Sequence, residues 1–135
     1  MSNMSVTLKT VGVVAKDMAK TLAFYRLLGL AIPQEADGEH NVDFELPNRV
    51  VLGFLAEELA QRSDPRYRPF IEGGANLNLQ FQFDSPAETD LTWKRLTDAG
   101  YHSYSEPWDA VWGQRFARVI DPDGRIVNLY AHLQD

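Results

Sequence analysis

The stretch NLNLQFQFDSPAETDLTWKRLTDAG, residues 76–100, decides the fold. From Asn76 to Phe83 it alternates strictly. Leu77, Leu79, Phe81 and Phe83 share one side, and Asn78, Gln80 and Gln82 share the other, the period-two pattern of a strand covered on one face. Ser85-Pro86-Ala87-Glu88 follows as a capping box with proline at the first helical position, and Thr89, Trp93 and Leu96 carry an apolar stripe on to Gly100. A strand therefore runs directly into a helix.

The same order stands earlier in the chain. Val6 to Lys16 is rich in valine and alternates, Asp17 opens a helix with Met18, Leu22 and Tyr25 on one face, and Gly29 ends it. Superimposing the two units sets Val11, Val13 and Ala15 on Leu79, Phe81 and Phe83. Leu22, Tyr25 and Gly29 fall on Trp93, Leu96 and Gly100, with three extra residues in the second copy. Extended segments follow each helix: Gln34 to Leu46 and Arg49 to Ala56, then His102 to Trp108, Gly113 to Ile120 and Arg125 to Ala131. Leu46-Pro47-Asn48-Arg49 and Asp121-Pro122-Asp123-Gly124 are hairpin turns, and the aspartates of the second are turn residues bonding to their own backbone. The expected architecture is a single α+β domain of tandem βαβββ repeats, residues 6–56 and 76–135, forming curved mixed sheets around a cavity. Residues 57–75 link them, with a short helix at Glu57 to Gln61 and an arm at Arg66 to Phe70.

With 135 residues, 44% hydrophobic and 24% charged, the chain has the composition of one ordinary globular domain. Thirteen basic against nineteen acidic residues give a net charge of -6, which argues against nucleic acid and anionic membrane surfaces as partners. There is no cysteine, hence no disulfide framework or thiolate metal site, and no stretch long enough to span a bilayer or start a secretory signal, so the expected location is the cytoplasm.

Three signatures coincide: Val14-Ala15-Lys16-Asp17 leading into Leu22 to Leu30, the copy ending Leu96-Thr97-Asp98-Ala99-Gly100, and Trp112-Gly113-Gln114-Arg115 followed by Asp121-Pro122-Asp123-Gly124-Arg125. In this order they resemble the vicinal oxygen chelate superfamily of lactoylglutathione lyases, bleomycin-resistance proteins and ring-cleaving dioxygenases, most of all its metal-free bleomycin-resistance-like binding proteins. The resemblance implies the glyoxalase/bleomycin resistance fold. It also implies metal-ligand positions in the first strand of each repeat and in the last strand, which here carry Thr10, Asn78 and Asn128. Neutral side chains are poor substitutes for His and Glu, so no metal and no cofactor is expected. His40, His102 and His132 read as surface histidines; an unusual site using His40 with Asp43 or Glu45 is the weakest alternative.

Without a metal there remains a pocket with aromatic walls. Tyr104, Trp108 and Trp112 lie in a segment, Glu106 to Gly113, that looks like the loop over the ligand cavity of bleomycin- and mitomycin-type resistance proteins. Asn78, Gln80 and Asn128 would orient a ligand among them, and Phe54 lines the first-half side. Trp108 and Trp112 are either ligand contacts or plain core, while Trp93 is core. Arg115 either meets an acidic ligand group or closes an ion pair with Asp121 or Asp109. The expected function is sequestration of a planar antibiotic or metabolite, cationic if net charge governs, by a homodimer that covers the open sheet edges of each chain. The alternative is a lyase or dioxygenase of the same superfamily, with a non-standard metal site or with Arg115 as a metal-free electrophile.

Overall fold

Where Leu79 and Phe81 alternate with Gln80 and Gln82, the computed structural model places a strand whose apolar side chains are half-buried and whose glutamines are exposed. The structure describes residues 6–65 and 78–134; the arm at Arg66 to Phe70, Asn76, Leu77 and most of the linker lie outside them. The strands are β1 (Thr10–Ala15), β2 (Asn41–Glu45), β3 (Val51–Ala56), β4 (Leu79–Gln82), β5 (Ser103–Ala110), β6 (Gln114–Ile120) and β7 (Ile126–His132). The helices are α1 (Met18–Leu28), α2 (Glu57–Ser63) and α3 (Pro86–Asp98). Both long helices start at the expected caps: the Asp17 carboxylate accepts the Lys20 N–H at 3.2 Å, and Ser85 Oγ accepts that of Glu88 at 3.2 Å.

The first sheet has the order β1-β3-β2 and the second β4-β7-β6-β5, each mixed. In both, the strand before the helix pairs in parallel with the last strand of its repeat, so the fold is the expected α+β arrangement of two mixed sheets. The first repeat departs from the second in one element. Gln34–Gly38, expected to be extended, is a 3-10 helix, leaving two strands after α1 where the second repeat has three. Arg26, in the last turn of α1, donates to the carbonyls of Ile32 at 2.7 Å and Pro33 at 2.6 Å and pairs with Asp37 at 2.8 Å. These bonds curl the segment back onto α1, and it contains no β-branched residue to favour a strand.

One core serves both repeats, with Leu22, Phe24, Tyr25 and Phe54 of the first half meeting Leu96, Val119, Val127 and Leu129 of the second. A polar clamp sits beside it. The Asp121 side chain, fully buried, accepts the Tyr25 hydroxyl at 2.7 Å and Arg125 Nε at 2.9 Å. Asp123 accepts the Thr21 hydroxyl at 2.5 Å and the Lys16 N–H at 2.8 Å, and Arg125 reaches the Val14 carbonyl at 3.0 Å. Asp121 does bond its own turn, accepting from Asp123 N and Arg125 N at 2.9 Å each, but the turn also fastens the second half to α1 of the first.

Burial, and next the Asp121 carboxylate, push the Tyr25 hydroxyl well above the ordinary tyrosine range. The folded chain therefore holds that proton more tightly than the unfolded one. The stability this contributes is complete below about pH 10 and is lost as the pH rises beyond it toward the folded value. In urea titrations at rising pH, Tyr25→Phe is expected to lose this component of the alkaline fall; an unchanged fall would disprove it.

Candidate functional site

Strand alternation in the second sheet sorts its side chains into two layers. Ala117, Val119, Val127, Leu129 and Ala131, all fully buried, belong to the layer beneath α3. The opposite layer is built in rows across the register. Gln80, Asn128 and Arg118 stand side by side, joined by Ser105, and the next row is Gln82, Tyr130, Phe116 and Trp108.

Two features of β5 create this face. β5 is an edge strand, which tolerates Pro107, and its pairing with β6 slips between Ser103 and Ser105 and again between Ser105 and Trp108. Each slip inserts one extra residue. Ser105 and Trp108 consequently share a face although they are three positions apart, while Ser103 turns the other way and accepts the Trp93 indole N–H at 3.0 Å.

The aromatic rings on this face touch in sequence. Trp108 lies edge-on to Trp112 at 6.1 Å and to Phe116 at 5.5 Å, Trp112 meets Phe116 at 5.4 Å, and Phe116 stacks on Tyr130 at 6.2 Å. Arg118 lies over the same group, its guanidinium carbon 5.2 Å from the Tyr104 ring centre and 5.5 Å from that of Trp108. Its Nε donates to Ser105 Oγ at 3.1 Å. Phe116 forms the floor at 7% exposure, whereas Tyr104 and Trp112 remain more than half exposed, at 53% and 57%. Tyr130 also lines a groove of about 480 Å³ with Val11, Leu52, Asn78, Gln80 and Gln82, so the aromatic face continues to the junction between the sheets.

Asn128 is 4% exposed, yet its side-chain oxygen has no hydrogen-bond partner among the described residues. A buried acceptor left without a donor is unfavourable by about 1–3 kcal/mol, and it lies in the row between Gln80 and Arg118.

Six of the residues expected at the site, Tyr104, Trp108, Trp112, Asn78, Gln80 and Asn128, thus fall on this face or its adjoining groove. Two do not. Phe54 is fully buried against the Tyr25 ring at 5.2 Å, because its strand parity points it beneath α1. Arg115 occupies the α3 side of β6, where Asp90 takes it at 2.9 and 3.1 Å and Asp109 at 3.0 Å; these partners hold its guanidinium above its ordinary range. Of the alternatives for Arg115 the structure shows the ion pair, with Asp109 but not Asp121. Phe116, Arg118 and Tyr130 also belong to this face and are not among the residues read from the sequence, where the face of β6 and β7 is set by register.

The family model of the glyoxalase/bleomycin resistance protein/dioxygenase superfamily matches residues 7–129. The chain belongs to that superfamily. Among solved structures, a family enzyme from Burkholderia phytofirmans PsJN superimposes with a TM-score of 0.74 at 19% identity, covering 95% of this chain and 100% of that one. A glyoxalase/bleomycin resistance protein/dioxygenase from Nocardioides gives 0.71 at 24%, covering 98% and 87%. A lactoylglutathione lyase from Agrobacterium tumefaciens gives 0.65 at 20%, covering 95% of each chain. No curated protein matches the sequence.

Superfamily enzymes of the kind the sequence resembles hold a divalent metal, and the residues here do not suit one. Thr10 stands on an open face of the first sheet, where a Cβ added at Gly53 would meet Asp43 Oδ1 at 2.9 Å and Thr10 Cγ2 at 3.6 Å. Asn78 immediately precedes β4 and Asn128 lies in β7, and all three are neutral. Among the described residues no three His, Asp or Glu side chains converge, and His40 is not gathered with Asp43 and Glu45, the latter being paired with Arg49 at 2.8 Å. His40, His102 and His132 are exposed. Among the described residues no helix is long and apolar enough to cross a membrane.

Proposed function

We propose that this chain is a metal-independent binding protein that sequesters a planar small molecule, an antibiotic or a metabolite, in the cytoplasm. The observation that carries the reading is the contiguous face of Tyr104, Trp108, Trp112, Phe116 and Tyr130, with the unpartnered Asn128 oxygen in the next row. Flat rings present area at little cost in side-chain order, and Asn128 offers an acceptor to a ligand O–H or N–H. The alternative, a lyase or dioxygenase, finds less support here. Arg115, the electrophile it would use without a metal, is already held by two carboxylates on the far side of the sheet.

The test is a tryptophan-fluorescence screen of bleomycin-, mitomycin- and quinoxaline-type compounds. Trp108→Ala and Trp112→Ala are each expected to weaken a bound compound by about 1–3 kcal/mol, roughly five- to a hundred-fold. Unchanged affinity in both variants, with lowered thermal stability, would make these residues core and remove the site.

A homodimer completes this proposal. The outer edges β1, β2, β4 and β5 are open in the single chain, and Leu91, Tyr104, Val111 and Trp112 are exposed apolar groups. Light scattering at micromolar concentration is expected to give twice the chain mass; a monomer would refute it.

A further inference from the structure

Arg118 differs from the other arginines of the described residues. Arg26, Arg49, Arg62, Arg115 and Arg125 each hold a carboxylate, and Arg95 lies exposed on α3 beside Thr92. Arg118 is half-buried among aromatic rings, and among the described residues its side chain's one hydrogen bond is from Nε to the neutral Ser105 hydroxyl. In a chain with nineteen acidic residues against thirteen basic ones, no described carboxylate reaches it. A partly desolvated guanidinium without a counter-ion is an unfavourable arrangement, and its two terminal nitrogens present the planar fork that matches a carboxylate.

We infer that the aromatic face selects a planar anion, an aromatic carboxylate whose ring lies against Tyr104 and Trp108 while its carboxylate takes the Arg118 fork. The inference rests on the ligand-binding reading above and adds the sign of the ligand's charge. It opposes the expectation drawn from net charge, because one guanidinium at contact distance outweighs a diffuse acidic surface that salt screens. The contacts support the arrangement: the guanidinium carbon lies 5.2 to 6.0 Å from the centres of the Tyr104, Trp108 and Phe116 rings, and of its nitrogens only Nε is engaged by a described residue.

The experiment compares three probes of one shape, 2-naphthoate, 2-naphthamide and 2-naphthylmethylammonium. Calorimetry supplies the affinities, and the indole N–H signals of Trp108 and Trp112 report the place of binding. The carboxylate is expected to bind about tenfold or more tightly than either analogue, with an advantage that shrinks as salt is added. Arg118→Gln should erase the advantage and leave the amide's affinity within about twofold. Arg118→Lys, which keeps the charge without the fork, should retain a reduced part of it.

If the amide or the ammonium moves the Trp108 and Trp112 signals and binds as well as the carboxylate, the charge assignment falls while the site stands. An advantage of equal size in the unaltered chain and both variants also overturns the assignment. If none of the probes moves those signals, the ligand reading falls and this inference with it. Dissociation of a dimer by Arg118→Gln would assign the carboxylate to a second copy of the chain and overturn the proposal.

Discussion

Replacing Asp121 with alanine is expected to cost about 3–5 kcal/mol of folding stability, as when one partner of a buried pair is removed. The carboxylate accepts four hydrogen bonds at 2.7 to 2.9 Å, two from its own turn and two from the side chains of Tyr25 and Arg125. Alanine would leave the buried Tyr25 hydroxyl without an acceptor and Arg125, only 27% exposed, with Asp123 as its remaining carboxylate. Asp121→Asn keeps the shape without the charge and should fall between the two. Denaturant unfolding at neutral pH measures this directly, and a loss below about 1 kcal/mol for the alanine variant would show that water repairs the clamp.

Phe54→Ala should destabilise by a similar amount, about 3–5 kcal/mol, and leave ligand affinity unchanged. The ring is fully buried, with Val13 and Val42 opposite it on the neighbouring strands and Tyr25 above it, so truncation opens a cavity that the flanking strands cannot collapse into without breaking their ladder. Melting and affinity are measured on the same variant. If its binding weakens as much as in Trp108→Ala while its midpoint hardly moves, Phe54 belongs to the ligand face after all.

The two corrections at the site have a common origin in strand parity. The alternation around Asn78, Gln80 and Gln82, the Ser85 cap, and the Pro-Asp-Gly turn after Asp121 are local signals, and each element they mark is present in the structure. Which face of β5 holds Trp108 is not local. It depends on two insertions in the pairing with β6, and each reverses every side chain beyond it. In β6 the arginines three residues apart take opposite sides, so without the register the sequence offers Arg115 and Arg118 on equal terms. Phe54 lies in the run Val51 to Ala56, where apolar residues crowd both parities and conceal which side is core. The curl at Gln34–Gly38 was hidden for another reason: it is imposed by Arg26, a residue of the preceding helix.

The clamp around Asp121 also bears on how the chain comes into being. It joins Tyr25 to a residue 96 positions later and Thr21 to one 102 positions later. During synthesis from the N-terminus, β1, α1, β2 and β3 can all emerge and pair while the Tyr25 hydroxyl still lacks its acceptor. Contacts of such long sequence separation are closed late and slow the search for the native state. The first half therefore waits on the last turn of the second, and a ribosome stalled before residue 121 would hold an α1 whose inner face is still unsealed.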